Sequence, residues 1–195
     1  MQDLNEDYWT KRYQEHNIGW DMGVPSPQLL HFMENQNEVG RNDRILIPGA
    51  GNAHEWVHFV QKGYEQVYAM DISPFPLNTL ASRNPEHAHL LLHEDFFRHD
   101  AKYDLILEQT FFCALDPSMR STYVEHTHRL LKKGGILAGV LFNRTFPHQG
   151  PPFGGNQEEY QSLFEEWFEV IHMDEAMHSH PARLGSELFI HLVAK

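Results

Sequence analysis

The sequence predicts an α/β fold: a mostly parallel sheet with an antiparallel edge and helices on both faces. Three features of the chain lead there. From residue 44 onward, short apolar runs of strand length alternate with amphipathic stretches, as in repeated strand–helix–strand units. The first run, Arg44-Ile45-Leu46-Ile47, breaks into the glycine turn Pro48-Gly49-Ala50-Gly51, as a buried strand does where it hands over to a helix. The last two apolar runs, 168–173 and 187–193, follow each other without a helix between them, which makes an antiparallel edge.

Taken in order, residues 5–15 predict a short helix carrying Tyr8, Trp9 and Tyr13, followed by the loop Gly19-Trp20-Asp21. Ser26-Pro27 opens a second helix, with a hydroxyl cap and then a proline whose missing N–H costs nothing at the first helical position. Leu29, Leu30 and Met33 form its apolar side. Strand 44–47 leads to a helix near 53–62 that Gly63 stops, and strand 66–71 to a helix opened by Ser73-Pro74. Strand 88–93 precedes Glu94-Asp95-Phe96. Strand 103–108 leads to a helix near 117–132, closed by Lys132-Lys133-Gly134-Gly135, since basic residues and glycine suit a helix C-terminus. Strand 136–142, the loop 143–155, a helix near 156–166 and the two closing strands complete the pattern. No internal repeat, low-complexity tract or linker interrupts it, so residues 1–195 are expected to form one domain.

At 195 residues the chain is long enough for one well-buried domain and short for two. A net charge of −12 argues against partners such as nucleic-acid backbones or anionic membrane surfaces. No apolar run approaches the roughly 20 residues of a membrane helix. The acidic, polar start, Met1-Gln2-Asp3-Leu4-Asn5-Glu6-Asp7, is not a secretory signal. A single cysteine, Cys113, excludes an intramolecular disulfide and fits a reducing cytoplasm. Fifteen histidines make the surface less negative below about pH 6.5. Nothing in the chain speaks to oligomeric state.

Functional interest centres on the glycine turn and on Asp71. Glycines let a backbone approach a ligand where a Cβ would collide, and a carboxylate ending the next strand can accept two hydrogen bonds from a ribose diol. Gly49, Gly51 and Asp71 therefore predict a nucleoside-bearing cofactor at the carboxyl ends of the strands. A dinucleotide fingerprint asks for a third glycine, and here that position is His54. The residues alone leave open a nicotinamide-dependent reductase, a user of S-adenosylmethionine, or a cofactor-binding module without catalysis.

A longer succession narrows the choice. Trp9, Tyr13, Gly19-Trp20-Asp21, Ile47-Pro48-Gly49-Ala50-Gly51, Asp71-Ile72-Ser73 and Glu94-Asp95-Phe96-Phe97 occur in order. They are followed by Thr110-Phe111-Phe112-Cys113-Ala114-Leu115-Asp116-Pro117, Leu130-Leu131-Lys132-Lys133-Gly134-Gly135 and Gly150-Pro151-Pro152-Phe153. From about residue 7 to the end, this succession resembles the thiopurine S-methyltransferase superfamily, and most of all its halide/thiol (thiocyanate) methyltransferase branch. The resemblance implies a Rossmann-like class I S-adenosylmethionine-dependent methyltransferase with a seven-stranded sheet, releasing S-adenosylhomocysteine and acting on a small-molecule acceptor. Carried over by position, Gly49 and Gly51 would lie against the cofactor and Asp71, with Ile72 beside it, would take the ribose hydroxyls. Asp95 and Phe96 would hold the adenine, Gln109 would touch the cofactor after the fourth strand, and Trp9, Tyr13 and Trp20 would close over it. Residues 1–25 would then be an aromatic lid segment. Ala50 stands where cysteine is common in the family, Tyr13 where tryptophan is, Glu108 where aspartate is, and Gln109 where tyrosine is frequent.

The aromatic positions also make sense physically, because residues 9 and 13 share a helix face and an indole face attracts a cation such as a sulfonium. The alternative is that they anchor the N-terminal helix to the domain. A sulfonium methyl is already activated, so alignment and exclusion of water are the main demands on the protein, and no catalytic base is nominated. Loop 143–155 is expected to wall the acceptor pocket with Asn143, Arg144, Pro151, Pro152 and Phe153, joined by Phe112 of the Phe111-Phe112 pair, whose place after the fourth strand puts it beside the expected methyl-transfer site. His54-Glu55-Trp56-Val57-His58 is a literal H-E-x-x-H, but catalytic zinc also needs a third ligand and an open position, so no metal is expected. Cys113 reads as a buried, inert thiol, His178 and His180 as loop residues, and Glu158-Glu159 and Glu165-Glu166 as solvated helix charges.

Overall fold

The computed structural model describes residues 4–148 and 150–195. Seven strands form one sheet: β1 (Ile45–Pro48), β2 (Val67–Asp71), β3 (Leu91–His93), β4 (Tyr103–Gln109), β5 (Leu131–Phe142), β6 (Phe168–Glu175) and β7 (Glu187–Ala194). Their order is β3-β2-β1-β4-β5-β7-β6. The first five are mutually parallel, and β7 runs antiparallel to both β5 and β6. Among the described residues six α-helices accompany them: α1 (Glu6–Gln14), α2 (Pro27–Asn35), α3 (His54–Gln61), α4 (Pro74–Arg83), α5 (Arg120–Leu130) and α6 (Gln157–Phe164). Among the described residues no helix is long and apolar enough to cross a membrane.

The side-chain alternation of the strands sends neighbouring residues to two separate cores. Leu105 and Leu107 of β4 face one core, where α2, α3 and α4 contribute Leu29, Phe32, Trp56, Phe59 and Leu77. Ile106 faces the other, filled by Tyr123, Val124 and Leu130 of α5 and by Tyr160 and Phe164 of α6. Helices thus cover both faces, as βαβ crossovers require. The central strands β1, β4 and β5 are consequently buried on both faces along most of their length.

Several boundaries differ from expectation. Residues 85–90 coil into a 3-10 turn begun by Pro85, leaving only Leu91–His93 as strand. The fifth helix starts at Arg120, after a separate 3-10 turn Pro117–Met119 capped by Asp116, and ends at Leu130. Lys132-Lys133-Gly134-Gly135 then belongs to a bulged start of β5, with Gly134 at φ +74. Ser26 makes no side-chain cap; its N–H instead donates to the buried carboxylate of Glu55 at 2.7 Å.

Candidate active site

Parallel strands end together, and their order reverses between β1 and β4, so the crevice beyond those tips is where a ligand fits. A cavity of about 610 Å³ lies there, within the size range of small-molecule sites. Gly49 from the end of β1, Asp71 from β2, Asp95 after β3 and Gln109 from β4 all line it.

Asp71 is buried, and each carboxylate oxygen takes one backbone N–H: Oδ2 from Gly51 and Oδ1 from Ser73, both at 2.8 Å. Burial pushes its pKa up to about 6, against the opposing pull of those N–H groups. Each oxygen keeps a lone pair for a further donor. Gly49 adopts φ +57 because the backbone must turn sharply under Phe111; a Cβ there would sit 2.3 Å from that ring. Gln109 lines the cavity, and its Oε1 is buried with no partner among the described residues. Asp95 caps the 3-10 turn Phe96–Arg98 through Phe97 N–H at 3.0 Å, and Phe96 stacks on Tyr123 at 5.5 Å. Thr110 sits at φ +60, rare for a β-branched residue, and this left-handed step delivers Phe111 to the cavity wall.

The N-terminal aromatics form one side of the cavity. Trp9 and Tyr13, a turn apart on α1, meet Trp20 edge to face at 5.4 and 5.7 Å. Thr10 Oγ1 shares a 2.8 Å hydrogen bond with Ser73 Oγ, fastening α1 to the start of α4. The guanidinium of Arg12 lies 4.9 Å over the Trp20 ring. Tyr13 is buried, and desolvation beside the Asp71 carboxylate raises its phenol above the ordinary range.

Of the expected site residues, Trp9, Tyr13, Trp20, Gly49, Asp71, Ile72, Asp95, Phe96, Gln109, Pro151 and Pro152 line the cavity. Five do not. Gly51 stands behind the wall, under the Tyr13 hydroxyl, with its N–H spent on Asp71. Phe112 is fully buried against Tyr123, Tyr160 and Phe164, because the chain coils into a 3-10 turn after Thr110 and turns Phe111 inward to the cavity instead. Asn143 is exposed, as is Arg144, whose guanidinium packs 4.9 Å over Phe146 and whose backbone bridges to Gly155. Phe153 packs against Gly150 and donates its N–H to the Cys113 carbonyl at 2.6 Å. Phe97, Leu115, Met119 and Phe142 line the cavity without having been expected there. Only Phe142 left a signal, as the last residue of a parallel strand.

The remaining chemical motifs have partners elsewhere. His54 Nε2 lies 2.8 Å from Asp21 Oδ1, Trp56 is buried with its indole N–H on Val67 O, and His58 packs on Phe59. Glu108 is fully buried, accepting from Tyr123 Oη at 2.6 Å and Phe112 N–H at 3.1 Å; desolvation pushes its pKa up to about 7. Burial likewise pushes the Cys113 thiol up to about 12. Glu159 is not a free surface charge: it pairs with the buried guanidinium of Arg120. The cavity lining holds Asp71, Glu94, Asp95 and Asp116 and, among the described residues, no lysine or arginine.

The family model for thiopurine S-methyltransferase matches residues 4–188. The chain belongs to that family. Among its relatives in the thiopurine S-methyltransferase family, the probable thiol methyltransferase 2 of Arabidopsis thaliana is 30% identical over 173 residues, 84% of this chain and 74% of the relative. Thiocyanate methyltransferase 1 of the same plant is 29% identical over 192 residues, 94% of this chain and 83% of its own length. A thiopurine S-methyltransferase of Acinetobacter baylyi is 26% identical, covering 86% of this chain and 87% of the relative. The fold matches that of Burkholderia thailandensis 1,6-didemethyltoxoflavin-N1-methyltransferase, solved with S-adenosylhomocysteine. Its TM-score is 0.73 at 19% identity, covering 97% of this chain and 86% of that one. A TehB-like methyltransferase of Corynebacterium glutamicum gives a TM-score of 0.64 at 18% identity, covering 97% of each chain. This family member is a methyltransferase that uses S-adenosylmethionine, and the strand-tip cavity has the groups to accept it.

Proposed function

We propose that the chain transfers the methyl group of S-adenosylmethionine to a small, polarisable acceptor: a thiol, a thiopurine-like sulfur, thiocyanate or a halide. The observation that carries this reading is one cavity joining a buried ribose-type carboxylate, an orphaned acceptor and an apolar wall. In it, Asp71 accepts the ribose hydroxyls, with Ile72 beside it. Asp95 and Phe96 flank the adenine, and Gln109 Oε1 accepts from the ammonium group of the amino-acid part. Gly49 gives that part close access to the backbone. Trp9, Tyr13 and Trp20 cover the donor, offering ring faces and edges to a cation and keeping water out. When bound, the cofactor supplies a methyl already activated on sulfonium.

The acceptor's share of the work falls to Phe111, Met119, Phe142, Pro151 and Pro152, whose apolar surface suits a large, weakly hydrated sulfur or halide atom. The names of the relatives in thiol, thiocyanate and thiopurine methylation support the same class. A soft anion reacts without a base; a thiol gives up its proton to solvent. The described residues act as one domain with residues 4–25 as the covering segment, and the single buried cysteine suits a reducing compartment such as the cytoplasm.

The test is calorimetry with S-adenosylhomocysteine, followed by incubation of methyl-labelled donor with aromatic thiols, bisulfide, thiocyanate and iodide. Binding together with a labelled methyl thioether, methyl thiocyanate or methyl halide is expected. Binding without transfer to any of them overturns the acceptor reading, and an absence of binding overturns the cofactor assignments too.

A further inference from the structure

Asp21 follows Trp20 directly and is held on both oxygens. Oδ1 accepts from Gly23 N–H at 2.6 Å and faces His54 Nε2 at 2.8 Å, and Oδ2 accepts from the Asn52 amide. Asn52 and His54 both come from the segment that leaves the glycine turn, so the floor of the donor site reaches up to the loop that covers it. On the other side of Trp20, its carbonyl accepts from Arg183, itself buried and paired with Glu187 at 3.1 Å. The Trp20 main chain is therefore pinned from both directions, while its ring rests on Trp9 and Tyr13. None of Asp21, Asn52 and His54 lines the cavity.

We propose that Asp21 and His54, with Asn52, form a positioning set that fixes Trp20 over the donor and so couples the glycine turn to the aromatic cover. The histidine of the H-E-x-x-H sequence thereby gains a role without metal. This inference rests on the reading of Trp20 as a donor cover.

The pair responds to pH in one direction. Its hydrogen bond to Asp21 holds His54 above the ordinary imidazole range, and the same bond holds Asp21 below the carboxylate range. The other titratable groups that feel the pair are Glu55 on the same helix and Tyr13 on α1. Arg12 and Arg183 are the basic groups that touch Trp20. A partner that raises the histidine's pKa stabilises the latched state fully at low pH, and that contribution is lost as pH rises through the latched value. Donor-site affinity therefore declines as pH rises through that raised value. Protonation of Asp71 acts on the opposite, acid side.

The experiment measures S-adenosylhomocysteine affinity by calorimetry at pH 6.5 to 8.5 for wild type, His54→Gln, Asp21→Asn, Trp20→Ala and the His54→Gln/Trp20→Ala double variant. Wild-type affinity is expected to weaken roughly three- to tenfold across this range, within the net span of one typical hydrogen bond. His54→Gln and Asp21→Asn should be flat and no tighter than wild type at its alkaline end. Since residues acting through one another are not additive, the double variant should bind like Trp20→Ala alone. Equal, pH-independent affinity of wild type, His54→Gln and Asp21→Asn overturns the proposal while Trp20→Ala still weakens binding. Unchanged affinity in Trp20→Ala overturns the proposal together with the cover reading. Asp21→Asn keeps the test decisive if His54→Gln folds poorly.

Discussion

Lowering the pH should loosen the donor site through Asp71, an effect isolated in the His54→Gln background, where the latch does not titrate. In the free protein, burial holds this carboxyl near a pKa of about 6, so at pH 5 most molecules carry it protonated. A protonated carboxyl has lost half its accepting capacity just where two sugar hydroxyls need acceptors. With one controlling group of that pKa, the dissociation constant for S-adenosylhomocysteine rises about tenfold between pH 7.5 and pH 5. The same burial has a consequence for the empty fold. Because the folded pKa is raised, Asp71 contributes stability fully below the ordinary carboxylate range. That contribution is lost as pH rises through about 6, costing about 3 kcal/mol by neutrality. Calorimetric titration of His54→Gln from pH 5 to 7.5 reads the affinity, with Asp71→Asn in the same background as the control that should bind weakly and show no such dependence. A dissociation constant that stays level across this interval in His54→Gln, where the latch no longer titrates, would refute the assignment of Asp71 to the sugar.

Three other outcomes follow from the packing. Gly49→Ala adds a Cβ 2.3 Å from the Phe111 ring at a left-handed backbone, so chemical denaturation should show a loss of about 2–4 kcal/mol, with donor affinity falling in the folded fraction. For Glu108, the raised pKa means stability lost as pH rises through about 7. Glu108→Gln should therefore gain about 3 kcal/mol on wild type between pH 4.5 and 7.5, and parallel stability curves would count against it. Cys113 is fully buried with its thiol pushed up to about 12, so a maleimide should label native protein at pH 8 only at the rate of unfolding; fast labelling would contradict this.

The fold was readable because it rests on patterns that are local. Strand tips, the glycine turn and the Ser73-Pro74 helix start each announce themselves within a few residues, and Ser73 does cap its helix through Phe75 N–H. Positions along regular strands were also readable, since a period of two fixes which side faces which core. Legibility ends where the period stops. After Gln109 the left-handed Thr110 and the following 3-10 turn break the alternation, and counting could not tell that Phe111 rather than Phe112 meets the cavity. Arg144 was misjudged because its exposure depends on a bridge to Gly155 that no local signal marks. The Asp21–His54 contact joins residues 33 apart, and only the folded loop brings them together. Buried Glu108 left no trace because its partner Tyr123 lies on another element.

The reversal of strand order between β1 and β4 divides labour inside the site. On the proposed function, loops after β1, β2 and β3 hold the donor's groups, whereas the segments after β4 and β5 wall off the acceptor. Each half can therefore accumulate substitutions under its own selection, and a lineage can exchange one methyl acceptor for another while its reagent grip stays untouched. One stitch limits that freedom. Gly49 and Phe111 press together across the divide, so enlarging the acceptor chamber by altering residue 111 also shifts the floor beneath the reagent, and new specificities should arise first at Met119, Phe142 and the proline pair.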